Sequence, residues 1–135
     1  MEYKHGLTKA EWDEKKKDIV QILIEISLLP EEVQTPLTYK QLCAKMKSPP
    51  SHGPESYELR DLLDEIDRDE DKLGRGMLTA FVHNEELNRP GKGFFTLAKE
   101  LGYKFKGTED GKLQFTIEQM RQVGNEQRIL RSKGA

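Results

Sequence analysis

The sequence predicts a helix-rich α+β domain, and three observations carry that reading. Apolar residues recur at helical spacing in several segments, some opened by a Thr-x-x-Glu/Gln capping box. One short apolar run, Met77–His83, reads as a strand. The length of 135 residues suffices for one core without disulfides or metals. Hydrophobic residues make up 35% and charged residues 34%, so a thin core lies under a heavily charged surface. The globular domain is expected to span residues 1–123, with 124–135 a basic polar tail that frays.

The first helix opens at Thr8, whose side chain and that of Glu11 form a capping box. Leu7 and Trp12 are placed as a hydrophobic staple across it. Trp12, Ile19, Leu23 and Ile26 share one face, and Pro30 ends the helix. The same grammar returns at Leu37-Thr38-Tyr39-Lys40-Gln41-Leu42, where Thr38 caps, Gln41 answers and Leu37 faces Leu42. Tyr39, Leu42, Cys43 and Met46 make the inner face of this short helix. The segment from Ser48 to Ser56 is a loop, because its prolines and glycine oppose regular structure.

A third helix runs from Tyr57 to Leu73 on the stripe Leu59, Leu62, Leu63, Ile66 and Leu73, with Gly74 as its stop. After the strand comes a polar loop, residues 84–93, and a short helix from Phe94 to Leu101. Tyr103, Phe105, Leu113 and Phe115 alternate with polar residues around Gly107-Thr108-Glu109-Asp110-Gly111, which predicts a β-hairpin. Thr116 and Gln119 then resemble another capping box, which starts a last helix on Ile117, Met120 and Val123.

Cys43 is the only cysteine, so no internal disulfide forms, which fits a reducing, cytoplasmic setting. It packs as a small apolar residue. The longest apolar run, Ile19–Leu29, is broken by Gln21, Glu25 and Ser27, which excludes a membrane span there. The N-terminus lacks the apolar core of a secretion signal. His5, His52, His83 and Cys43 have no ligand-like spacing, so neither a metal nor a cofactor is expected. No catalytic motif stands out, and the reading leans away from an enzyme.

Charge is unevenly placed. Residues 1–86 hold 12 basic and 19 acidic side chains, and residues 87–135 hold 10 basic and 5 acidic. The span from Glu55 to Lys72 alone carries 9 acids against 3 bases. Two surfaces follow. Arg75, Arg89, Lys92, Lys99, Lys104 and Lys106 offer a basic side for DNA, RNA or another anion. Asp61, Asp64, Glu65, Asp67 and Arg68 offer an acidic helix face for a basic protein partner. The alternative is that the opposite charges neutralise each other within the fold. The loop Arg89-Pro90-Gly91-Lys92-Gly93-Phe94-Phe95 adds a local candidate. Gly91 and Gly93 free the backbone to approach a phosphate or carboxylate at a helix start. Its spacing is not that of a Walker loop, and a tight turn docking Phe94 and Phe95 in the core is the commoner reason for such glycines.

The element order (helix, short helix, helix, strand, turn) is that of a winged helix-turn-helix. The segment Thr38-Tyr39-Lys40-Gln41-Leu42-Cys43-Ala44 resembles a helix start in the DNA-binding domain of alkylguanine alkyltransferases and alkyltransferase-like proteins. The resemblance covers about 50 residues, Pro36 to Asn84. That family's Pro-Cys-His-Arg active site has no counterpart here, so the resemblance implies a winged-helix-like core without alkyl transfer. Gly76–Val82 followed by Pro90-Gly91-Lys92-Gly93-Phe94-Phe95 also resembles uncharacterised bacterial proteins, which implies no function. The leading expectation is therefore a non-catalytic, nucleic-acid-associated or regulatory module. A protein-interaction adaptor using residues 57–72, and a phosphate-binding enzyme or sensor at residues 89–95, are the alternatives.

Overall fold

A computed structural model describes residues 2–134. It is a helix-rich α+β fold. The elements are α1 (Lys9–Ser27), β1 (Leu37–Thr38), α2 (Tyr39–Lys45), α3 (Tyr57–Lys72), β2 (Val82–His83), α4 (Lys92–Glu100) and α5 (Glu109–Gly134). Short 3-10 turns at Glu31–Val33 and Leu78–Phe81 complete it.

Both N-terminal capping boxes form. Thr8 Oγ accepts the Glu11 amide at 3.1 Å, and Glu11 accepts the Thr8 amide at 2.9 Å. Thr38 and Gln41 repeat this pair of bonds. Each box satisfies two amides that a helix start leaves unpaired. Ser56 caps α3 by accepting the Leu59 amide. The strand β1 pairs with β2 in parallel, Leu37 beside Val82 and Thr38 beside His83. This pairing ties the start of α2 to the end of the central segment.

Most of the predicted strand Met77–His83 is instead the 3-10 turn, and only Val82–His83 is extended. The reason is the surroundings. The turn touches α1, α3 and α5 together, so apolar side chains must leave it in three directions. A 3-10 turn distributes them that way, whereas a strand offers two faces. Leu78 and Phe81 enter a core with Trp12, Ile19, Leu23, Leu42, Leu62 and Ile66. Met77 and Ala80 enter a second core with Phe94, Phe95, Leu97 and Phe115. Met120 packs against both.

The predicted hairpin across residues 103–115 is absent. Thr108 starts α5, its Oγ1 accepting the Gly111 amide at 3.1 Å and its carbonyl the Lys112 amide at 2.9 Å. Glu109 and Asp110 fall in the first turn, where acids suit the helix dipole. The residues that looked like a hairpin turn are therefore a helix start. Gly111 is needed there, since a Cβ would lie 2.3 Å from the Lys106 carbonyl oxygen. Tyr103 and Phe105 still face inward, as half-buried aromatics on the second core.

Nor do Thr116 and Gln119 cap a helix. Thr116 lies mid-helix and donates to the Lys112 carbonyl, while the buried Gln119 accepts the Met77 amide at 2.9 Å. The expected frayed tail is helical to Gly134, with Gly124 and Gln127 buried. Gly124 lets α5 approach α1 closely: a Cβ there would meet the Ser27 carbonyl oxygen at 3.0 Å. Arg128 donates to the carbonyls of Ser27, the last residue of α1, and Leu29 just past it, which also accept from Gln34 Nε2. Ala135 lies outside the described residues. No helix among them is long and apolar enough to cross a membrane.

Candidate functional site: the α3–α4 cleft and the lysine side

The acids of α3 are used inside the molecule. Glu65 accepts from Trp12 Nε1 at 3.0 Å, Lys16 at 2.8 Å and Lys4 at 3.2 Å. Partial burial pushes its carboxyl up, but these three donors outweigh that and hold it down at about 2. Lys16 also binds Asp69, and Asp61 meets His5 at 2.7 Å. Glu70 faces Arg75 at 3.5 Å, and Asp71 accepts from the Tyr103 hydroxyl at 2.8 Å. Arg68 binds Asp64 on its own helix and Glu100 on α4. Of the five residues expected to face a partner, each is thus engaged within the chain.

Asp67 differs most from expectation. It is 1% exposed and accepts both the amide and the hydroxyl of Thr79. Burial raises its carboxyl to about 7. The Thr79 donors pull the other way, and Asp64 and Glu70 push further up. Its helical spacing carried the signal: Asp67 follows Leu63 by four residues, which puts it beside the leucine stripe and not on the solvated face.

The basic candidates divide. Arg89 is 5% exposed. Its guanidinium makes a two-pronged pair with Glu109 at 2.8 Å for both bonds, and it also donates to the Pro90 carbonyl. It lies over the Phe95 ring. Arg89 therefore holds the loop to the start of α5 and presents no charge to an outside anion, which corrects its expected role. Arg75 is half-buried against Glu70. Lys92, Lys99, Lys104 and Lys106 are exposed, and among the described residues none has an ion-pair partner. Lys99 sits over the Phe105 ring at 5.7 Å.

The loop that holds Gly91 runs directly into α4. It docks Phe94 and Phe95 into the second core. It also opens α4, whose N-terminus has no side-chain cap. That end borders a cleft of about 820 Å³ between α3 and α4. Leu59, Leu63, Val82, Phe94 and Leu97 give the cleft apolar walls, and Asp67 and Thr79 also line it. Sequence reasoning found the loop but not the cleft, because α3 and α4 come together only in the folded chain.

Cys43 is half-buried, and burial together with Glu58 raises its thiol, so it is no activated nucleophile. Burial lowers His83, whose ring lies 3.0 Å from the Ala80 carbonyl. Among the described residues, no group of three His, Cys, Asp or Glu side chains could hold a metal ion. No protein-family model, no curated protein and no solved structure matches this chain.

Proposed function

We propose that the protein is a non-catalytic, nucleic-acid-associated module that meets the phosphate backbone with the lysine side formed by α4 and residues 101–108. One observation carries the reading. The acids of α3 have partners within the chain, while Lys92, Lys99, Lys104 and Lys106 stand exposed without ion pairs among the described residues. Lys104 and Lys106 alternate with the inward-facing Tyr103 and Phe105, so the aromatic core aims them outward. Unpaired lysines on one side attract a polyanion through counterion release. The acidic helix α3 is not the reading element, because phosphates repel it. The adaptor reading loses its motive, since Asp61, Asp64, Glu65 and Asp67 are occupied internally.

Fluorescence anisotropy with mixed-sequence duplex and single-stranded oligonucleotides, from low to physiological salt, tests this. Replacing both Lys104 and Lys106 with Ala should weaken binding to all sequences alike. It should also flatten the log–log salt slope by about 1.8 for duplex or about 1.4 for single strands. Stability should change by less than about 0.5 kcal/mol. Absence of binding at low salt, or an unchanged slope in the double variant, would overturn the proposal.

A further inference from the structure

The loop between α2 and α3 reads Ser48-Pro49-Pro50-Ser51-His52-Gly53-Pro54-Glu55. Pro49, Pro50 and Pro54 have no amide to donate, so its backbone can tie itself to the rest of the chain at few points. Both ends are anchored. The Lys47 amide donates to Asp18 at 2.7 Å, and Ser56 caps α3. Between these anchors, every hydrogen bond to another element among the described residues ends on one buried pair of opposite charges. Lys15, 6% exposed, donates to the Ser48 carbonyl at 2.8 Å, the Ser48 hydroxyl at 3.0 Å and the Pro49 carbonyl at 3.1 Å. Glu58, 1% exposed, accepts the Ser51 amide at 3.3 Å with one oxygen. Its other oxygen has no hydrogen bond and stands 3.9 Å from the Lys15 ammonium. A buried ion pair is favourable only when its remaining lone pairs are satisfied. This pair leaves an acceptor dry, a cost that contact with water would remove. The loop itself is mostly exposed, with only Pro50 buried.

We propose that residues 48–55 form a strap that opens as a unit while the helices stay folded, with the Lys15 ammonium as its latch. Few contacts and a single point of attachment are the marks of a segment that opens locally. Opening hydrates the dry Glu58 oxygen and frees Lys15 beside Lys17 and Lys47, which border the same shallow depression. Pro54 and Glu55 edge the α3–α4 cleft, so the strap also sets one rim of that cleft. The strap is independent of whether nucleic acid binds the lysine side.

Native-state hydrogen exchange and limited proteolysis of the full chain test this. In the unaltered protein the Ser51 amide should exchange at least ten-fold faster than the core amides of α1 and α3, with little dependence on low concentrations of urea. A glutamate-specific protease should cut first after Glu55, the exposed acid of the strap. The double variant Lys15→Met, Glu58→Gln removes the latch without leaving a lone buried charge, and the glutamine keeps an oxygen for the Ser51 amide. It should be cut after Glu55, and exchange at Ser51, at least ten-fold faster than the unaltered protein, with core amides changed less than three-fold. If Ser51 in the unaltered protein exchanges only as slowly as the core, the strap does not open by itself and the proposal fails. It fails equally if the double variant is cut at the unaltered rate, or if strap and core amides accelerate by the same factor. Should the double variant not fold, the exchange pattern of the unaltered protein decides alone.

Discussion

Between Glu55 and Lys72 the chain carries nine acids, and between Lys92 and Lys106 it carries four lysines. All but one of those acids find a partner within the chain, the exception being Glu55. The lysines find none among the described residues. Both regions read alike along the sequence, as runs of one sign beside an apolar stripe. They differ in what lies opposite. Helix α3 is flanked by α1, which brings Lys15 and Lys16, by the N-terminal segment with Lys4 and His5, and by the 3-10 turn with Thr79. Residues 101–108 run along the outside of an aromatic cluster, where the one carboxylate they meet, Asp71, is taken by the Tyr103 hydroxyl and not by a lysine. A count of charges records what can titrate. It does not record what remains for a partner.

The largest expected effect comes from the aromatic side. Phe115 has ring neighbours in Phe94, Phe95, Tyr103 and Phe105, at centroid distances from 4.6 to 6.4 Å. Phe115→Ala should cost about 3–5 kcal/mol in urea denaturation. It should also loosen the segment that aims Lys104 and Lys106. A loss below about 1 kcal/mol would mean that the lysines are held by something else.

The acidic side should respond next. Glu65→Ala removes the acceptor for Trp12, Lys16 and Lys4 and should cost about 2–3 kcal/mol at neutral pH. The folded carboxyl is held near 2, below its unfolded value. Its contribution is therefore complete above about pH 4.5 and is lost as pH falls towards 2. The variant's stability should show a shallower acid limb. Parallel limbs would indicate that Glu65 is not tightly held.

Asp67 gives an effect of similar size to Glu65, with the opposite sign. Its folded value near 7 lies above the unfolded one, so its contribution is present below about pH 4 and is lost as pH rises through 7. Between pH 5 and pH 8 the native protein should lose about 2–3 kcal/mol relative to Asp67→Asn, read from thermal melts of the two proteins. A constant gap would show that the carboxyl stays ionised throughout that range.

Part of this was legible in the residues. The Thr8/Glu11 and Thr38/Gln41 boxes form where they were read, because a capping box uses only neighbours in the chain, whereas Thr116 and Gln119 fall inside a helix that had already started. The inner faces of α1, α2 and α3 follow from spacing for the same reason. The segment from Tyr103 to Phe115 misled because alternation and a glycine-rich turn suit a hairpin, while Thr108, Glu109 and Asp110 suit a helix start equally. Close passage of the Lys106 backbone over Gly111 accompanies the second outcome. At the site, Lys92, Gly91 and Gly93 were recognised from composition. Arg89 was misjudged because its partner Glu109 opens α5, beyond the whole of α4.

By itself the sequence determined the starts of α1, α2 and α3, most of the leucine stripe of α3, the exclusion of an internal disulfide and the segregation of charge, all of which depend on neighbours or on counting. Only the tertiary structure decided that Met77–Phe81 turns instead of extending, that α5 runs on to Gly134, that Asp67 is buried, and which charges remain free. Those outcomes depend on what three or more distant segments bring to one place. A buried group's energy is set by its surroundings, not by its neighbours in the chain.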